Sequence, residues 1–173
     1  MLIGATLFAG DSITVGLAPF VAVEGEKITA AKGGQSGSAL LTMIRNEESK
    51  GTLNRVKNMV VLGGTNDIGG GLSADKIFGN LKAIWDIGKN HGVKVIALTI
   101  PPAIGYSGWG GRDLSVDAKR RAVNAMIEVG GADQVIDLDL LMGDGQGKLL
   151  PAFDSGDHIH PRKDKMGQAL NIE

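Results

Sequence analysis

The 173-residue sequence contains no cysteine, only three histidines, five prolines and seven aromatic residues. Without cysteine there is no disulfide framework, no thiolate metal site and no cysteine nucleophile. Eighteen Lys and Arg against nineteen Asp and Glu leave a formal charge of −1. The chain therefore lacks the basic excess by which a nucleic-acid partner is usually engaged. No apolar run reaches the roughly 18–20 residues needed to span a bilayer. Residues 1–10 are apolar but have no positively charged leading region, and the stretch is short. It reads as a buried first strand, not as a signal peptide.

What is present in excess is glycine, 27 residues, about twice the usual share of roughly 7%. It falls between apolar runs and punctuates them. The 43% apolar and 21% charged fractions are those of a folded globule. The length fits one domain over residues 1–173. Five short apolar runs read as strands, at 2–9, 27–31, 59–62, 93–99 and 134–138. They are near-continuously apolar, as expected of strands covered on both faces. Helical spacing of apolar residues marks 36–46, 73–90 and 115–129, and a short helix is expected after Pro161. Ser36 and Ser73 stand where N-caps belong. Strands alternating with helices predict βαβ units: an α/β fold of three layers, α/β/α, around a five-stranded parallel sheet.

In such sheets a ligand binds beyond the carboxyl ends of the strands. The polar, glycine-flanked strings collect there: Gly10-Asp11-Ser12-Ile13, Gly33-Gly34-Gln35-Ser36, Gly64-Thr65-Asn66-Asp67 and Asp157-His158-Ile159-His160-Pro161. A serine becomes a nucleophile when a base takes its proton, and an imidazole fixed by a carboxylate suits that task. Three histidines leave few choices. His91 stands at the expected carboxyl end of a helix beside Gly92, where a capping or dipole role is the simpler account. Asp157 and His160, three apart, can meet on one tight turn.

These strings resemble, in order and across residues 10–161, the blocks of the GDSL, or SGNH, hydrolase superfamily. Gly10-Asp11-Ser12-Ile13 matches the first block, Gly34 the second, Gly64-Thr65-Asn66-Asp67 the third and Asp157–His160 with Pro161 the fifth. The resemblance implies the SGNH fold with flavodoxin-like strand order 2-1-3-4-5. It implies that Ser12 is the nucleophile, His160 the general base and Asp157 its orienting carboxylate. It further implies an oxyanion hole from the backbone N–H groups of Ser12 and Gly34 and the side-chain amide of Asn66. Gly33 competes with Gly34 for that role, and the block match favours Gly34. With that strand order the loops carrying Gly34, Ser12 and Asn66 are neighbours. The loop over 139–156 is long enough to return the Asp157–His160 turn to them.

Other residues have simpler expectations. Asp11 shapes the turn around Ser12. Ser36 caps a helix. Asp67 either polarises Asn66 or caps a turn. Asp137, Asp139 and Asp144 do not follow the spacing of an EF-hand loop and read as a solvated loop. No spacing suggests a metal site, and the chemistry needs neither a metal nor another cofactor.

Segment 103–113 holds four glycines with Tyr106 and Trp109; it is expected to form a mobile flap over the substrate, the alternative being a surface loop with two chance aromatics. Tyr106, Trp109 and His158 are the candidate substrate contacts. Aromatics are too few for an extended polysaccharide platform, though one sugar on Trp109 is compatible with them. Nothing in so short a chain roofs a long acyl tunnel. The expected activity is hydrolysis of short-chain, acetyl-type esters of an alcohol or carbohydrate. Two alternatives are a lysophospholipase or thioesterase acting on longer acyl chains, and a non-catalytic binding or structural module of a larger protein. The compartment stays open between the cytoplasm and a secreted or surface assembly.

Overall fold

The computed structural model describes residues 4–172. Its five strands are β1 (Ala5–Gly10), β2 (Lys27–Ala31), β3 (Val56–Leu62), β4 (Lys94–Leu98) and β5 (Gln134–Ile136). All pair in parallel, in the order β2-β1-β3-β4-β5. This is the expected order. Residues 2 and 3 of the expected first strand include positions outside the described residues.

Alternation along the strands builds two cores. On one face Leu7, Ala9, Met59, Val61, Val95 and Ala97 share a core with helices α2 (Gly37–Ser49), α3 (Thr65–Ile68), α4 (Ala74–Asn90) and α5 (Asp113–Val129) through Leu40, Ile44, Ile68, Leu81, Trp85 and Val123. On the other face Phe8, Val60, Leu62, Ile96 and Leu98 pack with Leu17, Leu138, Met142 and Met166. Those partners come from α1 (Ser12–Leu17), α6 (Leu138–Met142) and α7 (Lys163–Ala169). Each fully buried Leu or Ile contributes about 1.5–3 kcal/mol, so the sheet is held from both sides. The central strands fit the expectation of two covered faces. The edge strands do not: in β2 only Ala30 of five residues is buried and in β5 none of the three is, because each has a neighbouring strand on one side alone.

The caps expected at Ser36 and Ser73 are formed. Ser36 Oγ accepts from the Ala39 N–H at 3.2 Å and Ser73 Oγ from the Lys76 N–H at 3.3 Å. The carboxyl end of β4 is clamped by a buried polar network. The Asn124 side chain accepts from the Ile100 N–H at 2.7 Å and donates to the Ile100 carbonyl at 2.9 Å. The buried Arg120 guanidinium also donates to that carbonyl, at 3.0 Å, and to Asp117 and Asp139, each at 2.8 Å. This fixes the strand end beside which the loops of the site are arranged.

Candidate active site

The end of β1 delivers Ser12. Gly10 is required there by close approach: a Cβ on it would lie 2.0 Å from Thr14 Oγ1 and 2.6 Å from the Leu62 carbonyl. Asp11 then caps α1, its Oδ1 accepting from the Ile13 N–H at 2.9 Å. Ser12 is the first residue of that helix. Asp11 therefore shapes the Ser12 turn, as expected. It is 1% exposed, and Oδ2 has no hydrogen-bond partner among the described residues. Burial pushes its carboxyl up to about 6, against the Ile13 N–H and the His160 charge, which lower it, and the Asp67 charge, which raises it further.

The returning loop supplies the imidazole. Ser12 Oγ and His160 Nε2 are 2.9 Å apart across 148 residues of sequence. His160 Nδ1 lies 2.6 Å from Asp157 Oδ2. Asp157 Oδ1 accepts from the His160 N–H at 2.8 Å, the Ile159 N–H at 3.1 Å and the Ser155 hydroxyl at 3.2 Å. Burial alone raises the Asp157 pKa. The bonds from the His160 ring and the two backbone N–H groups outweigh it and hold the carboxyl at about 2. Asp157 is thus an anion at any ordinary pH, set to keep the imidazole proton on Nδ1 and leave Nε2 free to accept from the serine.

The loops after β2 and β3 face each other beside Ser12. A Cβ on Gly33 would lie 4.0 Å from the Ser12 Cβ, while Gly34 takes φ +72° and has open space around it. The Asn66 side-chain amide donates to the Gln35 carbonyl at 3.0 Å, which fixes the amide plane and leaves its second N–H for another acceptor. Asp67 neither polarises Asn66 nor caps its own turn. Its Oδ2 accepts from the Gly37 N–H at 2.8 Å, pinning the start of α2, and burial raises its pKa.

Gln35 is the residue that sequence reading missed. It is 8% exposed. Its side-chain amide donates to the Gly10 carbonyl at 2.9 Å, while its own carbonyl holds Asn66. One residue thereby ties together the strand end before Ser12, the Gly34 turn and Asn66. A polar residue after two glycines is no signal by itself for such a role.

The expected substrate contacts are not brought together as a platform. Trp109 is 2% exposed and belongs to the core, with its indole edge against Gly69. Tyr106 is half-buried and meets Trp109 edge-to-face at 6.5 Å. Segment 103–113 is anchored, not a free flap. Ile104 N–H donates to the Gly147 carbonyl, and Arg112 bonds the carbonyls of Trp109 and Gly69. The physical reason is the inward turn of Trp109, whose large apolar surface is more stable in the core than on a lid. His158, at φ +68°, sets its ring against Gly105 and holds Asp154 Oδ2 at 2.5 Å. His91 caps α4 and reaches Glu48 at 2.9 Å. Asp137 caps α6, Asp139 pairs with Arg120 and Asp144 closes its own loop.

A family model for GDSL-like lipases and acylhydrolases matches residues 8–164. The chain belongs to the GDSL-like lipase/acylhydrolase family. This is a family of ester hydrolases, and the match spans every residue assembled around Ser12. Among solved structures the chain is similar to a GDSL-like lipase from Bacteroides thetaiotaomicron, with a TM-score of 0.74 and 20% identity, over 94% of this chain and 82% of that one. It is similar to an acetyl xylan esterase, with a TM-score of 0.67 and 21% identity, over 96% of this chain and 100% of the other. A lipase/acylhydrolase from Enterococcus faecalis gives 0.68 and 16%, over 92% and 87%. At these identities the likeness is one of fold. No curated protein sequence matches the chain. Among the described residues no helix is long and apolar enough to cross a membrane.

Proposed function

We propose that this acylhydrolase-family protein is a serine esterase that removes short acyl groups, acetyl first, from an alcohol or carbohydrate. The observation that carries the reading is the 2.9 Å approach of Ser12 Oγ to His160 Nε2, with Asp157 2.6 Å behind the imidazole. As Oγ attacks the ester carbonyl, Nε2 takes its proton. The imidazolium is stabilised by Asp157 and returns the proton to the departing alkoxide. Water then attacks the acyl carbon held on Ser12, giving a proton to the same nitrogen; as the bond to Oγ breaks, the imidazolium returns that proton to Oγ and the acid leaves. Negative charge on the carbonyl oxygen is met by the N–H groups of Ser12 and Gly34 and by the second N–H of the Asn66 amide. One such donor is worth about 3–4 kcal/mol of barrier.

The short-acyl reading is supported by the spare architecture: among the described residues strands and helices alternate without an inserted domain to roof a long acyl tunnel. The test is turnover of a chromogenic acetyl ester by the wild type and by Ser12→Ala, followed by an acyl-length series. Near-complete loss in Ser12→Ala, with fastest turnover at two to four carbons, is expected. Turnover that persists in Ser12→Ala overturns the reading. A preference for eight carbons or more replaces it with a lipid or thioester hydrolase.

A further inference from the structure

We propose that a groove beside Ser12, about 580 Å³ in volume, takes the alcohol part of the ester and selects an anionic group, a carboxylate or a phosphate, on it; this rests on the esterase reading above. The groove runs from Ser12 and His160 past Gly16 of α1 to Arg162 and Lys163. It thus contains two cations on the same surface as the reacting serine.

Two carboxylates share the lining, and neither is paired with Lys163. Asp154 is already engaged. Its Oδ1 accepts from the N–H groups of Gly156 at 2.8 Å and His158 at 3.1 Å, and its Oδ2 is held by the His158 ring. Asp164 faces Arg162 at 3.7 Å, with both side chains nearly half exposed. A pair that long and that wet is weak and yields readily to a better partner. Lys163 has no hydrogen-bond or ion-pair partner among the described residues. Its stem lies along α1, with Cβ 3.4 Å from where a Cβ on Gly16 would stand, so the absence of a side chain at Gly16 leaves room for the lysine at the wall of the groove. The Ser155 hydroxyl is committed to Asp157. The Lys163 ammonium is the lining charge left without a partner among the described residues, and an anionic substituent in the groove gains from it a charge-assisted hydrogen bond that an uncharged one does not.

The test compares 4-acetoxybenzoate, 4-acetoxyphenyl phosphate and methyl 4-acetoxybenzoate, which share an acetyl group and a phenol leaving group. For each, kcat/KM is divided by the rate with hydroxide, which removes differences in intrinsic reactivity. The anionic esters are expected to exceed the neutral one by about fivefold or more, the upper end for a partly exposed ion pair. The larger of the two anionic ratios identifies carboxylate or phosphate as the preferred group. The ratio should shrink in 1 M NaCl, where the screening length is about 3 Å. It should also fall towards one in Lys163→Gln and return in Lys163→Arg. A ratio near one for both anions overturns the proposal, as does a ratio that survives in both Lys163→Gln and Arg162→Gln. Turnover of the neutral ester with a ratio of one sinks the charge selection alone. No turnover of any of the three sinks the esterase reading and this one with it.

Discussion

The side-chain amide of Gln35 donates to the carbonyl of Gly10 at 2.9 Å, tying the loop after β2 to the strand that ends at Ser12. The same residue's carbonyl accepts from Asn66. Gln35 thus sets the spacing between the hydroxyl and two of the N–H groups proposed to meet the developing oxyanion. Gln35→Leu keeps much of the side-chain volume and removes the bond. It leaves the Gly10 carbonyl with only the long bond from the Lys32 N–H at 3.4 Å, at about 1 kcal/mol in stability. A misplacement of order 1 Å at the reacting centre can cost about 10²-fold in rate, so kcat should fall by roughly 10–100-fold with little change in KM. Steady-state kinetics read alongside urea unfolding separate the two effects. An equal loss in both the wild-type and the Asn66→Ala background would show that Gln35 does not act through Asn66.

Asn66→Ala removes one donor from the proposed oxyanion site without adding a charge. A fall of about 10²–10³ in kcat is expected. The Gln35 carbonyl loses the bond it accepts from that amide. Circular dichroism and a melting curve should show a fold largely intact. A kcat within threefold of wild type means the amide does not touch the reacting oxygen.

Much of this site was legible because its chemistry is carried by residue types that stand out in an otherwise glycine-rich, apolar sequence. The strands at β1, β3 and β4 were readable as apolar runs, and Ser36 and Ser73 as caps. α1 was not. Its sequence, Ser12–Leu17, contains Ile, Thr, Val and Gly, poor helix formers. It is helical because Asp11 caps it and Ile13, Thr14 and Leu17 are buried. The low burial of β2, at the edge that the expected order gives it, does not show in its own five residues. Trp109 sits among glycines that suggest an open loop, yet the indole turns into the core. Gln35 acts through bonds 25 and 31 residues away in sequence, which no local pattern encodes.

Asp11 makes stability depend on pH. Its folded pKa of about 6 lies above the unfolded 3.8. The folded state therefore holds the proton more tightly, and the associated stability is fully present below pH 3.8 and lost as pH rises to 6. The loss amounts to about 3 kcal/mol. Asp11→Asn retains a good N-cap and cannot ionise. It should melt above the wild type at pH 8, with the difference shrinking or reversing at pH 4. Equal differences at the two pH values would mean that burial does not perturb this carboxyl.

Asp117 is the buried partner of Arg120, with side-chain exposures of 7% and 1%. Asp117→Ala leaves the guanidinium with only the Ile100 carbonyl and Asp139. A loss of about 3–5 kcal/mol is expected from urea unfolding, as for other broken buried pairs. Asp86→Ala, which breaks an exposed pair with Lys82, should change stability by under about 1 kcal/mol. Similar losses for both would contradict the buried network at the end of β4.

The central claim is that His160 activates Ser12. The most direct measurement is the rate and site of labelling by a serine-directed phosphonate, located by peptide mass mapping, in the wild type and in His160→Ala. The adduct is expected on Ser12 in the wild type, with labelling slowed at least 10²-fold in a folded His160→Ala protein. An adduct on another residue, or Ser12 labelled as fast without the imidazole as with it, would contradict the account.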